Sequence, residues 1–269
     1  MEIVTLPKQR IVMVLEFDGG LFHGWQRQEN AYSVQQAIEE ALFKIEGELS
    51  SPNLATAGRT DAGVHATHML IHADVDAERW FRSPHAYLQG MNFHLSQGVM
   101  VHGVQAVSSD FQARYDCFER RYQYHIINKT FKPVIRANHA WWVAKPLDVE
   151  VMNLAAKTLL GEHDFSSFRA SGCQSKSSSR NLKKLQVSRK GDDVIIDVAA
   201  DAFLYHMVRN LAGSLVAVGK GRWQPEYLHE LLLKKDRNLA AETAPAHGLY
   251  FTDALYHGLS AQSVSGKTG

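Results

Sequence analysis

The 269-residue sequence holds only two cysteines, lacks any long apolar run, and carries a net charge of just +1 at pH 7. Cys117 and Cys173 are far apart and stand in no CxxC or Cys/His pattern. That argues against a disulfide framework and against a structural zinc site, so both are expected as reduced thiols. The strongest apolar stretch near the N-terminus, Ile11 to Leu15, is cut by Glu16. It is too short for a signal h-region or a membrane span, and the protein is expected to stay in the cytoplasm. With so little net charge, the overall balance names no polyanionic partner, and any such hint has to come from how the charges are distributed.

A hydrophobic fraction of 45% with 21% charged residues is ordinary for a folded chain of one large or two medium domains. Ile11 to Phe17 reads as a buried strand and Asp18-Gly19-Gly20 as the turn after it. Ser33 and Gln36 have capping-box spacing, and Val34, Ala37, Ile38, Ala41, Leu42 and Ile45 recur at three and four residues before Gly47, which predicts a helix. Met69, Ile71 and Ala73 alternate with His68, Leu70, His72 and Asp74, as in a strand with one buried face.

A similar order returns further on. Tyr122, Tyr124 and Ile126 share one face of a strand over 120–127; a helix is predicted from an Asp148 cap to Gly161; strands are expected near 182–189 and 193–200. A further helix carries Leu204, Met207, Val208, Leu211, Leu215 and Val216 on one stripe, with Arg209, Tyr205, His206 and Gly213 off it. Two such strand, helix, strand, strand blocks suggest two α+β domains, 1–109 and 110–269, with a Ser/Gly-rich tail after Ser260 expected to be disordered.

Charge is unevenly spread. No acidic residue occurs from Phe165 to Gly191, while Arg169, Lys176, Arg180, Lys183, Lys184, Arg189 and Lys190 are all basic. A solvated loop explains such a run as well as nucleic-acid contact does. The most unusual segment is Ala57-Gly58-Arg59-Thr60-Asp61-Ala62-Gly63-Val64-His65-Ala66. Asp before Ala-Gly suits an Asx-turn, but an arginine two residues from a carboxylate can favour its ionised form, and the glycines permit close approach of a ligand. His65, His68 and His72 lack the nearby Cys, Asp or Glu that would complete a metal-ligand set.

The words of this sequence resemble the tRNA pseudouridine synthase A family. GRTDAGVHA is similar to that family's signature, and further similar words follow in the family's order. They are Phe17-Asp18-Gly19 with Gly24-Trp25-Gln26-Arg27-Gln28, Arg120-Arg121-Tyr122-Gln123-Tyr124, His163 to Arg169, Phe203 to Asn210, and Ala244 to Leu249. Ser96 and Ala246 stand where the family often has proline.

The resemblance implies the pseudouridine synthase fold, an α+β fold of two domains whose antiparallel sheets join across a central active-site cleft, in a homodimer that acts on the anticodon arm of tRNA at uridines 38, 39 and 40. It implies Asp61 as catalytic nucleophile, Tyr122 as the ring that stacks on the flipped uracil, and Arg209 as an ion-pair partner of Asp61. Arg59 would pair with the same carboxylate or hold a phosphate. Trp25, Gln26 and Arg27 either contact RNA or anchor a hairpin. Moving uracil from N1 to C5 involves no redox change, so no cofactor and no metal is expected. Two rival readings are a non-catalytic RNA-binding module and a carboxylate glycosidase; the second would need a paired acidic residue that does not accompany Asp61.

Overall fold

In the computed structural model, which describes residues 7–47 and 52–265, the chain is a mixture of helices and a mostly antiparallel sheet, arranged in two compact units. One unit runs up to Phe118 and takes in the chain again from Phe251; the other is Glu119–Tyr250. The sequence-based division after residue 109 assigned the C-terminal strand to the second half, whereas in the structure that segment belongs to the first unit.

The first unit contains β1 (Lys8–Phe17), α1 (Val34–Glu46), β2 (Ala55–Thr56), β3 (His65–Asp76), α2 (Ala77–Arg82), α3 (Pro84–His94) and β4 (Val99–Ala106). The second contains β5 (Glu119–Asn128), β6 (Trp141–Val143), α4 (Val149–Lys157), β7 (Gly161–Asp164), β8 (Ser179–Lys190), β9 (Asp193–Ala200), α5 (Met207–Gly219) and α6 (Tyr227–Lys234). β10 (Leu249–Tyr256), β11 (Leu259–Ser260) and α7 (Ala261–Ser265) close the described chain.

In the first unit the strand order is β4-β1-β3-β10, with β2 beside β3 and β11 beside β10. β1 pairs antiparallel with both neighbours, and its run Ile11 to Leu15 is fully buried. α1 forms as its cap predicts: Gln36 N–H donates to Ser33 Oγ at 3.2 Å, and Gly47 ends the helix at φ +84 with its N–H on Phe43 O. α2 and α3 have no counterpart in the sequence reading, because α3 buries only Tyr87 and Met91 and its apolar stripe is too narrow to register as amphipathic.

Two expectations are corrected here. β3 is buried on both faces: Leu70 and His72 are as inaccessible as Met69, Ile71 and Ala73. The loop after β4 covers the second face, with Ala113 N–H donating to His72 Nδ1 at 3.0 Å and Phe111 meeting the His72 ring edge-on. The tail after Ser260 is ordered as far as Ser265, since α7 buries Ala261 and Val264 against β4. A Cβ on Gly103 of β4 would lie 2.8 Å from Val264 O. Residues 266–269 lie outside the described residues.

His72 has a measurable consequence. With Nδ1 accepting, Nε2 carries the proton. Burial, reinforced by the Arg10 guanidinium, holds the imidazole below its ordinary value; burial also lowers His68 and His247. The unfolded chain therefore takes up protons below about pH 6.5 that the folded chain refuses, so stability is full above that pH and falls as the pH drops through it. Urea midpoints from pH 7.5 to 5.0 are expected to decline, and His72→Phe is expected to flatten the decline. An equal slope in the variant would remove His72 as a cause.

In the second unit β9 lies between β5 and β8, β7 pairs with the outer edge of β8, and β6 runs parallel beside β5. α4 packs on β8 and α5, with Asp148 capping the Val151 N–H at 3.0 Å. The helix expected to reach Gly161 stops at Lys157, and Gly161, at φ +101, opens β7 instead. α5 also differs from its sequence reading. It starts at Met207, after a left-handed His206, and is buried on almost every side. Gly213, expected on a polar face with Arg209, lies so close to residues 242–244 that a Cβ would come within 2.1 Å of Glu242 O. α6, which the sequence reading did not include, buries Leu228, Leu231 and Leu232. Among the described residues no helix is long and apolar enough to cross a membrane.

Candidate active site

The loop from Gly58 to Val64 joins β2 to β3 and is held by backbone on two sides. Trp25 N–H donates to Thr60 O at 3.0 Å, and Gly24, at φ +86, lies so close that a Cβ would sit 2.8 Å from Thr60 O and 3.1 Å from the carbonyl carbon of Asp61. Within the loop, Val64 N–H closes a turn onto Asp61 O at 3.1 Å. On the other side Gly19 meets Val64, whose O would be 2.0 Å from a Gly19 Cβ, and His65 Nδ1 lies 3.1 Å from Gly19 N and 3.0 Å from Asp18 Oδ1. Only glycines allow these three segments to approach so closely. Three words separated in sequence, residues 17–19, 24–28 and 57–66, thereby form one assembly that carries a half-exposed Asp61.

Asp61 opens a backbone turn closed by the Val64 N–H, and that turn sits on a braced platform. Arg59 is exposed and makes no hydrogen bond or ion pair among the described residues, so within the loop it is not the partner of Asp61. Trp25 is 3% exposed, which makes its ring an anchor for the segment and not an RNA-stacking surface; Arg27 is exposed and pairs with Glu39 at 2.5 Å. His65, His68 and His72 do separate jobs: His65 braces the loop, His68 stacks on His102 at 5.8 Å, and His72 lies in the core.

The remaining words form a second assembly, within the other unit. Tyr122 lies on the buried face of β5 opposite Val198 and meets the edge of Phe203 at 5.0 Å. Tyr124, on the same face, is fully buried, donates its hydroxyl to Pro245 O at 2.8 Å, and touches the position where a Gly248 Cβ would be. Burial pushes the Tyr124 hydroxyl well above its ordinary value, which suits a structural tyrosine. Arg209 is half-buried on α5; its Nε donates to Ala244 O at 2.8 Å, and Ala244 N–H donates back to Arg209 O at 3.2 Å. Asn210 donates to Phe168 O at 2.8 Å, and its Oδ1 accepts from Arg237 and Thr243.

Phe203 and Asn210 are further members of this assembly that sequence reasoning passed over. Both lie inside a quoted word, and a lone Asn in an otherwise apolar helix is the available signal for the second.

The acid-free stretch is only partly a loop, since Ser179–Lys190 is β8. Lys183 pairs with Glu119 at 3.2 Å and Lys184 approaches Asp197 at 3.8 Å, while Arg189 donates to Asn128 Oδ1 and Leu147 O. Arg169 donates to the carbonyls of Cys173 and Ser175, and Arg180 to that of Ser177 and to Ser175 Oγ, so these two guanidiniums shape the 170–178 loop. Burial would raise the Cys173 thiol, but N–H groups of Tyr205 and Ser175 and the Arg169 charge outweigh it and leave the thiol below its ordinary value.

A family described as tRNA pseudouridine synthase matches residues 155–257, which include β8, β9 and α5. Over 247 residues the chain is 46% identical to the tRNA pseudouridine synthase A of Idiomarina loihiensis, covering 92% of this chain and 93% of that protein. It is 43% identical to the protein of the same name from Legionella pneumophila over 92% of both chains, and 46% identical to that from Hydrogenovibrio crunogenus over 90% of both. Likeness of this degree along nearly the whole length places the chain in the tRNA pseudouridine synthase A family of isomerases.

Proposed function

We propose that this protein isomerises uridine to pseudouridine in tRNA, at positions 38, 39 and 40 of the anticodon arm, with Asp61 as the nucleophile. The observation that carries the reading is the braced loop: two glycines and a buried tryptophan fix the backbone around a carboxylate that stays half-exposed. A turn that served only to connect β2 to β3 would not need contacts this close on both sides.

In the proposed reaction the bond between N1 of uracil and C1′ of the ribose breaks, the ring rotates, and C5 bonds to C1′. C5 then loses its proton and N1 gains one. Asp61 either adds to C1′ and is released when C5 attacks, or takes a sugar proton and returns it by way of a glycal. Atoms and electrons balance with no cofactor. Arg59 and Arg209 are proposed to contact the substrate, and exposed, unpaired Arg59 is suited to a phosphate. Family likeness supports a homodimer acting in the cytoplasm.

Tyr122 is proposed to stack on the flipped uracil and to take the C5 proton. Phenylalanine keeps the ring and loses the hydroxyl, so Tyr122→Phe is expected to bind tRNA normally and to slow product formation by about 100-fold or more, with substrate accumulating on the enzyme. Wild-type turnover would limit Tyr122 to stacking. The function as a whole is tested by incubating the protein with unmodified tRNA and mapping any pseudouridine formed. Product confined to 38–40 is expected; product elsewhere would overturn the site assignment, and binding without product would favour a non-catalytic RNA-binding protein.

A further inference from the structure

Tyr205 differs from the tyrosines that anchor the interior of this chain. Tyr87, Tyr124, Tyr250 and Tyr256 each place the hydroxyl on a partner inside the fold. Tyr205 is 45% exposed, and its hydroxyl has no hydrogen-bond partner among the described residues. Its ring lies on that of His206, with centroids 3.9 Å apart and planes inclined by 31°. The pair is held at the backbone: Tyr205 O accepts from Ala170 N–H at 3.1 Å, Tyr205 N–H points at Cys173 Sγ at 3.5 Å, and His206 adopts φ +58, a left-handed conformation uncommon for a residue with a side chain.

Both anchors lie in the acid-free loop whose shape Arg169 and Arg180 set. Lys176 projects from that loop, exposed and without a partner among the described residues. Two residues before Tyr205, Phe203 abuts Tyr122, the ring proposed above to hold the reacting uracil.

An exposed, pre-positioned aromatic pair beside unopposed positive charge is the combination that binds unpaired nucleotides. The ring supplies a stacking face that any base can use, and the cation meets the phosphate. We propose that Tyr205, backed by His206, is a second stacking platform, which receives an unpaired base of the substrate RNA next to the target uridine while Lys176 contacts its backbone phosphate. The proposal rests on the tRNA reading above. A protein partner fits less well, because the loop beside the ring, residues 170–178, is rich in serine and carries Lys176.

The test is equilibrium binding of unmodified tRNA to the full-length protein, with Tyr205→Ala, Tyr205→Phe and Lys176→Ala compared at several salt concentrations. Tyr205→Ala is expected to raise Kd by about 5- to 100-fold, the range for losing one base–aromatic stack, and Tyr205→Phe to stay within about twofold of wild type. Lys176→Ala is expected to lower the slope of log Kd against log salt by about 0.7 to 0.9. Transcripts carrying 5-iodouridine should cross-link to the peptide holding Tyr205.

Unchanged binding by Tyr205→Ala, or equal losses in the Ala and Phe variants, would overturn the platform; so would a Tyr205→Ala protein that binds normally but changes its oligomeric state. These readouts need no turnover, so they fail separately from the Asp61 reading, whereas a wild-type protein that bound no tRNA would overturn the substrate assignment itself.

Discussion

Asp61→Asn is expected to fold and bind tRNA as the wild type does and to form no measurable pseudouridine at any target uridine. Asparagine is nearly isosteric with aspartate and keeps an oxygen able to accept a turn hydrogen bond. The contacts that hold the loop are made by backbone: Trp25 N–H on Thr60 O, and Val64 N–H on Asp61 O. Neither depends on the side-chain charge. What the substitution removes is the negative charge and nucleophilicity that either route requires. The loss is therefore expected to exceed about 10,000-fold, beyond what removing one acid–base contact costs. A reading in which Asp61 only forms a turn demands the opposite, near-normal turnover with at most a small stability change. Thermal midpoint, tRNA affinity and product yield measured on one preparation separate the two, and appreciable turnover by a folded variant would sink the nucleophile assignment.

Gly24→Ala is expected to damage stability and activity together. At φ +86 a side chain costs about 1–2 kcal/mol in backbone strain. The new methyl would also meet Thr60 O at 2.8 Å and Ala62 N at 3.1 Å, both backbone atoms, and crowding of that kind adds about 1–3 kcal/mol. A total near 3 kcal/mol lowers Tm by about 6–12 °C in a chain of this size. If the loop yields instead, Asp61 moves with it, and displacement of a catalytic group by about 1 Å is worth about 100-fold in kcat. Gly47→Ala is the matched control: φ is +84 but nothing lies within 4 Å of the added carbon. It is expected to lose about 1–3 kcal/mol with kcat unchanged. Equal activity in the two variants would show that the Gly24 contact does not position Asp61.

Local patterns were legible in the sequence wherever periodicity and capping residues mark an element by themselves. α1, with its Ser33 cap and its Gly47 stop, and the Tyr122–Tyr124–Ile126 face of β5 follow from period and capping chemistry alone. The words that carry the family likeness were equally plain, and the chemistry of a uridine isomerase follows from them.

What lay beyond the sequence depended on contacts between residues far apart along the chain. His72 reads as the polar side of a half-buried strand until Ala113 and Phe111 cover it, and Gly213 reads as a solvated helix position until residues 242–244 press against it. Ser260 onward reads as a disordered tail by composition, yet Ala261 and Val264 find a surface on β4. Arg59, Asp61, Tyr122 and Arg209 are candidates drawn from the sequence, chiefly through the family resemblance of the words that hold them. Which of them stand exposed, which are braced, and that Gly24 sets the backbone under Asp61 were decided by the tertiary structure, because burial and close approach are properties of packed neighbours that a linear pattern does not contain.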